Sequence, residues 1–320
     1  MFLCLAGGVG GAKLARGFAG VSAADTAAVV NTGDDFEHLG LYVAPDIDTV
    51  IYTLAGLNNP ETGWGIRGES WNFMDAVGRL GGATWFRLGD QDLAMHVLRT
   101  RRLAAGETLS VVTRELAVRL GLETRVIPMS DDRVRTIVVT DAGPLAFQDY
   151  FVRDRCEPAV RSLHFDGASV ARRAPEFESI LSHASLEAIV LCPSNPYLSI
   201  DPILSVGDTA ERLANRKVPL VGVSPIIGGN ALKGPAAKMM RELGIQPSAR
   251  AVAEHYGALL DGLVIDEQDA GEASAIRNLG VNVLVTATVM RSVDDQVRLA
   301  REVARFSVRC GVRPAATRIG

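Results

Sequence analysis

The first fifty residues hold a run of glycines and a run of carboxylates. The glycines are Gly7-Gly8-Val9-Gly10-Gly11, followed by Ala12-Lys13. Glycines directly after a strand let the backbone approach a phosphate, and the helix that follows presents free N–H groups and the positive end of its dipole. Gly7, Gly8, Gly10 and Gly11 are therefore candidate phosphate-binding positions, and Lys13 adds a cation. The G-x-G-x-x-G fingerprint is only partly met, because Lys13 takes the place of the third glycine. A P-loop fits worse, since Ala12-Lys13-Leu14 stands where Gly-Lys-Ser/Thr belongs.

The carboxylates lie in Asn31-Thr32-Gly33-Asp34-Asp35 and Pro45-Asp46-Ile47-Asp48-Thr49. In a dinucleotide dehydrogenase an acidic residue at this distance would bind a ribose hydroxyl. Several carboxylates near strand ends suit a hard divalent cation instead. Magnesium takes one or two protein carboxylates plus substrate phosphates. Asp34, Asp35 and Asp48 are the expected metal ligands. Asp46 reads as the N-cap of a helix starting near Thr49.

Two later loops follow apolar runs. Ser194 and Asn195 lie in Cys192-Pro193-Ser194-Asn195-Pro196. Ser224, Pro225, Gly228, Gly229 and Lys233 lie in the second. Ligands of open α/β sheets sit outside the carboxyl ends of strands, where backbone amides can form an anion nest. All three tryptophans fall within residues 61–92. Trp64, set among glycines and polar residues, is placed to stack on a flat heteroaromatic ligand, whereas Trp71 reads as a core aromatic. Arg87-x-Gly89-Asp90 stands at a helix start. The five histidines show no metal-ligand spacing, and none is given a role.

These groups need a frame. Residues 2–6 and 27–31 read as buried strands flanking a helix over 12–19, a first βαβ unit. Runs at 188–192, 219–223, 262–265 and 281–285 are too continuously apolar for half-exposed strands. Helical periodicity marks 47–57, 91–105 and 109–120, with Arg-rich outer faces. Residues 135–140 and 145–152 read as an antiparallel hairpin around Asp141-Ala142-Gly143-Pro144. Ser292 with Asp295 forms a capping box, and Val293, Val297, Ala300, Ala304 and Val308 mark the apolar stripe of the last helix. The expected fold class is α/β, a Rossmann-like parallel sheet with helices on both faces plus a helical and β-hairpin insertion. Residues 1–59 and 184–320 would form the nucleotide-binding core, and 60–183 the insertion.

Composition narrows the function classes. The 320 residues carry a net charge of −4, with 48% hydrophobic and 22% charged residues. That is an ordinary globular balance and excludes disorder. No basic surplus points to nucleic acid. No apolar run approaches the ~20 residues of a membrane span. The four cysteines are scattered without a CxxC pair, as in a reducing cytoplasm, and Cys4 and Cys192 read as buried thiols.

Taken in order, the motifs resemble one family: Gly-Gly-x-Gly-Gly-x-Lys, Asn-x-Gly-Asp-Asp, Pro-Asp-x-Asp-Thr, Gly-Trp-Gly, Leu-Gly-Asp-x-Asp-Leu-Ala, Pro-Ser-Asn-Pro and Ser-Pro-Ile-Ile-Gly-Gly. The sequence is similar to the 2-phospho-L-lactate transferases of deazaflavin coenzyme F-420 biosynthesis, from the first strand to at least residue 270. The resemblance implies a reaction. A guanosine diphosphate-linked three-carbon acid donates its phospho-acid group to the ribityl hydroxyl of 7,8-didemethyl-8-hydroxy-5-deazariboflavin, and GMP leaves. The acid is phospholactate, phosphoenolpyruvate or phosphoglycerate.

The resemblance further implies Mg2+ as cofactor and a homodimer. Asp48 and Arg87 would contact the deazaflavin, with Trp64 and the insertion covering its ring. Asp34 and Asp48 would be catalytic, and Asp34, Asp35 and Asp48 would hold the metal and activate the hydroxyl. The Gly7–Lys13, Ser194–Asn195 and Ser224–Lys233 loops would hold the guanosine diphosphate portion. On this reading Asp48→Ala abolishes turnover with little loss of stability. Two other readings exist: a regulatory nucleotide-sugar binder like the gluconeogenesis-factor relatives, and an NAD-dependent oxidoreductase. The carboxylate set and the Trp64–Asp92 segment favour an enzyme over the first. The missing third glycine counts against the second.

Overall fold

The computed structural model describes residues 1–232 and 234–313. Seven parallel strands form the central sheet: β1 (Phe2–Ala6), β2 (Thr26–Val30), β3 (Arg125–Pro128), β4 (Ala188–Leu191), β5 (Leu220–Val223), β6 (Gly262–Ile265) and β7 (Asn282–Val285). Their order across the sheet is β3-β2-β1-β4-β5-β6-β7. The order reverses between β1 and β4, which opens a crevice at their carboxyl ends.

The strands alternate strictly between two cores, as a period of two requires. Leu3, Leu5, Ala27, Val29, Ile189 and Leu191 face one core. Cys4, Ala6, Ala28, Val30, Val190 and Cys192 face the other. Both faces are therefore covered, which explains the unbroken apolar runs. Helices α1 (Gly8–Val21), α2 (Pro45–Leu54), α3 (Asn72–Arg79), α4 (Asp92–Ala104) and α5 (Leu109–Arg119) follow in chain order. Leu14 and Phe18 of α1, Ile47 and Ile51 of α2, and Val112 and Leu116 of α5 fill the second core. No helix among the described residues is long and apolar enough to cross a membrane.

The structure differs from the sequence expectation in three places. The segment 60–183 is not one insertion: β3 pairs with β2, Ala27 against Arg125, so the core sheet runs through it. Only Val126 and Ile127, between Arg125 and Pro128, make up the aliphatic run of β3, which is too short to stand out. The hairpin is present, Arg135–Thr140 against Gly143–Ala146, but its second arm ends at Ala146. A wide, π-type helical turn at Asp149–Arg153 replaces the rest, and Val160–Asp166 adds a third strand.

The last helix, Val293–Cys310, has the expected capping box. Its buried face, however, is Gln296, Leu299, Ala300, Val303, Phe306 and Ser307. Val293 and Val308 are exposed. The valines misled the phase because Gln296 and Ser307 face inward.

Gln296 is buried because α1 lies against it. A Cβ on Gly17 would stand 2.1 Å from the Gln296 carbonyl oxygen. That contact is backbone and cannot swing aside. Gly17→Ala should therefore separate the helices, at about 1–3 kcal/mol, outweighing alanine's helix propensity gain of about 1 kcal/mol. Thermal unfolding checks it. A midpoint at or above wild type would show that the two helices do not pack this tightly.

Candidate functional site

A cavity of about 720 Å3 opens at the carboxyl ends of the strands, over the β1/β4 crevice. Gly7, Gly8, Gly10, Lys13, Ser194, Asn195, Ser224 and Pro225 line it, as do Asp34, Asp48, Trp64 and Arg87. Gly11, Asp35, Gly228 and Gly229 do not border it. Gly11 packs against Ser194, and the Gly228 N–H is donated to Asp269 Oδ1 at 2.9 Å. Lys233 lies outside the described residues.

The glycine loop is fixed by its neighbours as well as open to the cavity. The Gly7 N–H donates to Ser194 Oγ at 3.1 Å, and the Ser194 hydroxyl donates back to the Gly7 carbonyl at 2.9 Å. A Cβ on Gly10 would stand 2.2 Å from the Pro193 carbonyl oxygen. Glycine is thus required there by the close approach of the β4 loop. The Gly8 N–H donates to Asp46 Oδ1 at 2.7 Å. Asp46 therefore serves the start of α1. It does not cap its own helix as expected, because α2 starts at Pro45 with Ala44 as its cap residue. Lys13 Nζ donates to the Met290 carbonyl at 2.9 Å, beside the cavity wall formed by Thr288–Arg291.

Asp34 and Asp46 share an acidic corner with Asn31, whose amide donates to Asp46 Oδ2 at 3.0 Å. Burial and the Asp46 carboxylate drive Asp34 well above the usual carboxylate range. Burial also pushes Asp46 up to about 6 and Asp35 up to about 8, the latter against the pull of Arg135. Asp35 faces away from the cavity and accepts the Tyr42 hydroxyl at 2.8 Å.

Asp48 belongs to a different group. Both its oxygens accept the guanidinium of Arg99, which is 0% exposed. His96 Nδ1 lies 3.6 Å from Asp48 and Nε2 lies 3.3 Å from Asp92. Tyr52 donates its hydroxyl to Asp92. Asp92, His96 and Arg99 fall on one face of α4 at i, i+4 and i+7. The expectation of an Arg-rich outer face on this helix fails for Arg99, which turns inward because Asp48 awaits it. This pairing argues against the expectation that Asp48→Ala spares stability.

Magnesium must be weighed against these two groups. Asp48, Asp92 and His96 each offer one ligand atom within 4.8 Å of the others, and they form the metal-capable trio among the described residues. That trio contains an imidazole, and Arg99 already neutralises Asp48, so it suits a hard cation poorly. Asp34 Oδ1, by contrast, is buried without a hydrogen-bond partner on the cavity wall. Its oxygen, beside a second carboxylate, fits magnesium. Asp34, Asp35 and Asp48 do not converge as the expected set.

Arg87 is exposed at the cavity, with its guanidinium carbon 4.2 Å from the centre of the Trp71 ring. Trp71 is accordingly half-buried and steadies Arg87 by a cation–π contact. It is not part of the core. Trp64 is 52% exposed at the cavity edge. Asp90 accepts four hydrogen bonds from Ser70, Asn72 and Phe73 and so holds the start of α3.

Sequence reasoning missed Asp92, His96 and Arg99, though their helical spacing was visible. It also missed Phe147, Gln148 and Phe151 after the hairpin, and Thr288–Arg291.

Asp266, at the end of β6, fixes that last stretch. It accepts the Thr288 N–H at 2.8 Å, the Thr288 hydroxyl at 2.9 Å and the Gln268 N–H at 3.1 Å. Burial pushes its carboxyl up, but these donors outweigh it and hold it below the usual range. A depressed folded-state value means stability that is complete above the unfolded carboxyl value of about 3.9 and lost as pH falls through the folded one. Acid unfolding of Asp266→Asn should therefore show a shallower dependence on pH below ~4 than wild type. Parallel curves would remove this role.

The family model described as 2-phospho-L-lactate transferase CofD matches residues 3–300. A 2-phospho-L-lactate transferase of Methanopyrus kandleri is 43% identical over 306 residues, covering 94% of this chain and 96% of that one. A phosphoenolpyruvate transferase of Streptomyces griseus is 40% identical over 310 residues, covering 95% and 97%. A 2-phospho-L-lactate transferase of Methanocaldococcus jannaschii is 36% identical, covering 96% and 97%. Among solved structures, a UPF0052-family protein of Bacillus halodurans aligns with a TM-score of 0.63 at 14% identity, covering 94% of this chain and 97% of that one. That likeness concerns the fold.

Proposed function

From the premise that this chain belongs to the 2-phospho-L-lactate transferase family, we propose that it works in coenzyme F-420 biosynthesis. It moves a phospho-three-carbon-acid group from a guanosine diphosphate-linked donor to the ribityl hydroxyl of 7,8-didemethyl-8-hydroxy-5-deazariboflavin and releases GMP. The observation that carries this reading is one cavity that joins a phosphate-type helix start, Lys13, an acidic corner and exposed aromatic and guanidinium groups.

Phosphoryl transfer asks for in-line positioning and neutralised oxygens more than for covalent chemistry. The start of α1 at Val9 and Gly10, past the N–H groups that Ser194 and Asp46 already take, and the Lys13 ammonium would meet the donor's diphosphate. Asp34, with Asp46 beside it, would hold magnesium. When bound, the ion neutralises charge on the phosphoryl oxygens. Asp48, oriented by its bonds to Arg99, accepts a hydrogen bond from the attacking hydroxyl and sets its direction. Arg87 and Trp64 border the deazaflavin.

Purified protein with magnesium, the deazariboflavin and guanylated phospholactate, phosphoenolpyruvate or phosphoglycerate should release GMP only when the deazaflavin is present. Absence of GMP with all three donors would overturn the proposal. The names of the relatives divide between phospholactate and phosphoenolpyruvate, so all three donors belong in the assay. Light scattering of the same sample tests the homodimer.

A further inference from the structure

Phe147 and Phe151 stack with ring centres 5.3 Å apart and planes inclined by 11°. Both line the cavity. Phe147 is buried, whereas Phe151 is 38% exposed. A large apolar ring left open on a cavity wall has no packing reason of its own.

The backbone that presents Phe151 is costly. It lies in the turn Asp149–Arg153, closed by Arg155 at φ 50° and Cys156 at φ 58°. Left-handed conformations at non-glycine residues persist only where surrounding structure enforces them. The enforcement is visible. Tyr150 is fully buried, and Lys238 donates to its hydroxyl and to the Pro158 carbonyl, each at 3.3 Å. Lys238 also pairs with Glu242, whose other oxygen accepts the Val160 N–H at 3.1 Å. On the opposite side, the Gln148 amide donates to the Asp34 carbonyl at 3.3 Å. The aromatic pair is thus pinned at both ends and tied to the acidic corner.

We infer that Phe151, backed by Phe147, is a stacking platform for a flat heteroaromatic ring. Under the transferase reading, on which the choice of probes rests, that ring is the deazaflavin of the acceptor or the guanine of the donor. Stacking tolerates any π-face and depends on an aromatic partner. It therefore predicts a pattern that simple apolar packing does not.

The test titrates the full chain and its Phe151→Ala, Phe151→Leu and Phe151→Tyr variants with the deazariboflavin and, separately, with GDP. Alanine and leucine should weaken one of the two by about 10- to 100-fold and leave the other unchanged, since stacked rings contribute on that scale. Tyrosine should restore binding to within about threefold. The probe that weakens names the ring. Leucine binding both probes like wild type would overturn the platform, as would tyrosine failing to rescue. Thermal midpoints near wild type for the tyrosine and leucine variants separate binding from folding. Because binding is read, a chain that releases no GMP fails as a transferase while the platform is still judged. Wild-type protein binding neither probe overturns both.

Discussion

Asp48→Ala should lower the free energy of unfolding by about 3–5 kcal/mol and bring turnover to background. Both effects come from Arg99. The guanidinium is fully buried and gives both Asp48 oxygens their partners. Alanine leaves it charged in the interior without its hydrogen-bonded carboxylate, with Asp35 and Asp92 acting only through space, and breaking one side of a buried pair is far more costly than the net value of the pair. The same bond aims Asp48 into the cavity. Denaturant unfolding with an unchanged m-value reads the first effect. Adding Arg99→Met to Asp48→Ala removes the stranded charge. The double variant should recover most of the lost stability and remain inactive. A single variant as stable as wild type would show that this pair does not join α2 to α4.

Asp34→Asn should behave in the opposite way. Asp34 is buried beside Asp46, and both circumstances disfavour its charge. A neutral amide of the same size relieves that strain, so the thermal midpoint should hold or rise. If Asp34 is the proposed magnesium ligand, turnover should nevertheless fall by about 100-fold or more. Magnesium should raise the midpoint of wild type and not of the variant. Turnover near wild type at saturating magnesium would move the metal away from Asp34. The two variants together separate a site that costs stability from a pair that supplies it.

Much of this was written in the sequence, and the gaps have physical reasons. Strands buried on both faces announce themselves as unbroken apolar runs, so Phe2–Ala6 and Gly262–Ile265 were placed to the residue. Arg125–Pro128 was not, since an arginine and a proline bracket only two aliphatic residues there. The glycine loop and the strand-end loops stand at the cavity because chain topology alone puts them there.

What the sequence hid was pairing across distance. An arginine in a helix reads as solvated until its partner 51 positions away is known. Asp34 and Asp48 looked like one cluster because they are close in sequence. In space they serve two groups, the corner with Asp46 and the network with Arg99 and His96. The aromatic pair after the hairpin escaped notice because a turn of this kind follows neither the helical nor the strand period.

Mass spectrometry of the deazaflavin after reaction with an equimolar mixture of the three guanylated donors reads the proposed transfer itself. The deazaflavin should gain the mass of one phospho-three-carbon acid in amounts matching the GMP formed, and the dominant mass names the acid. Deazaflavin recovered unchanged while nucleotide is bound or consumed would show that no phospho-acid group moves to it.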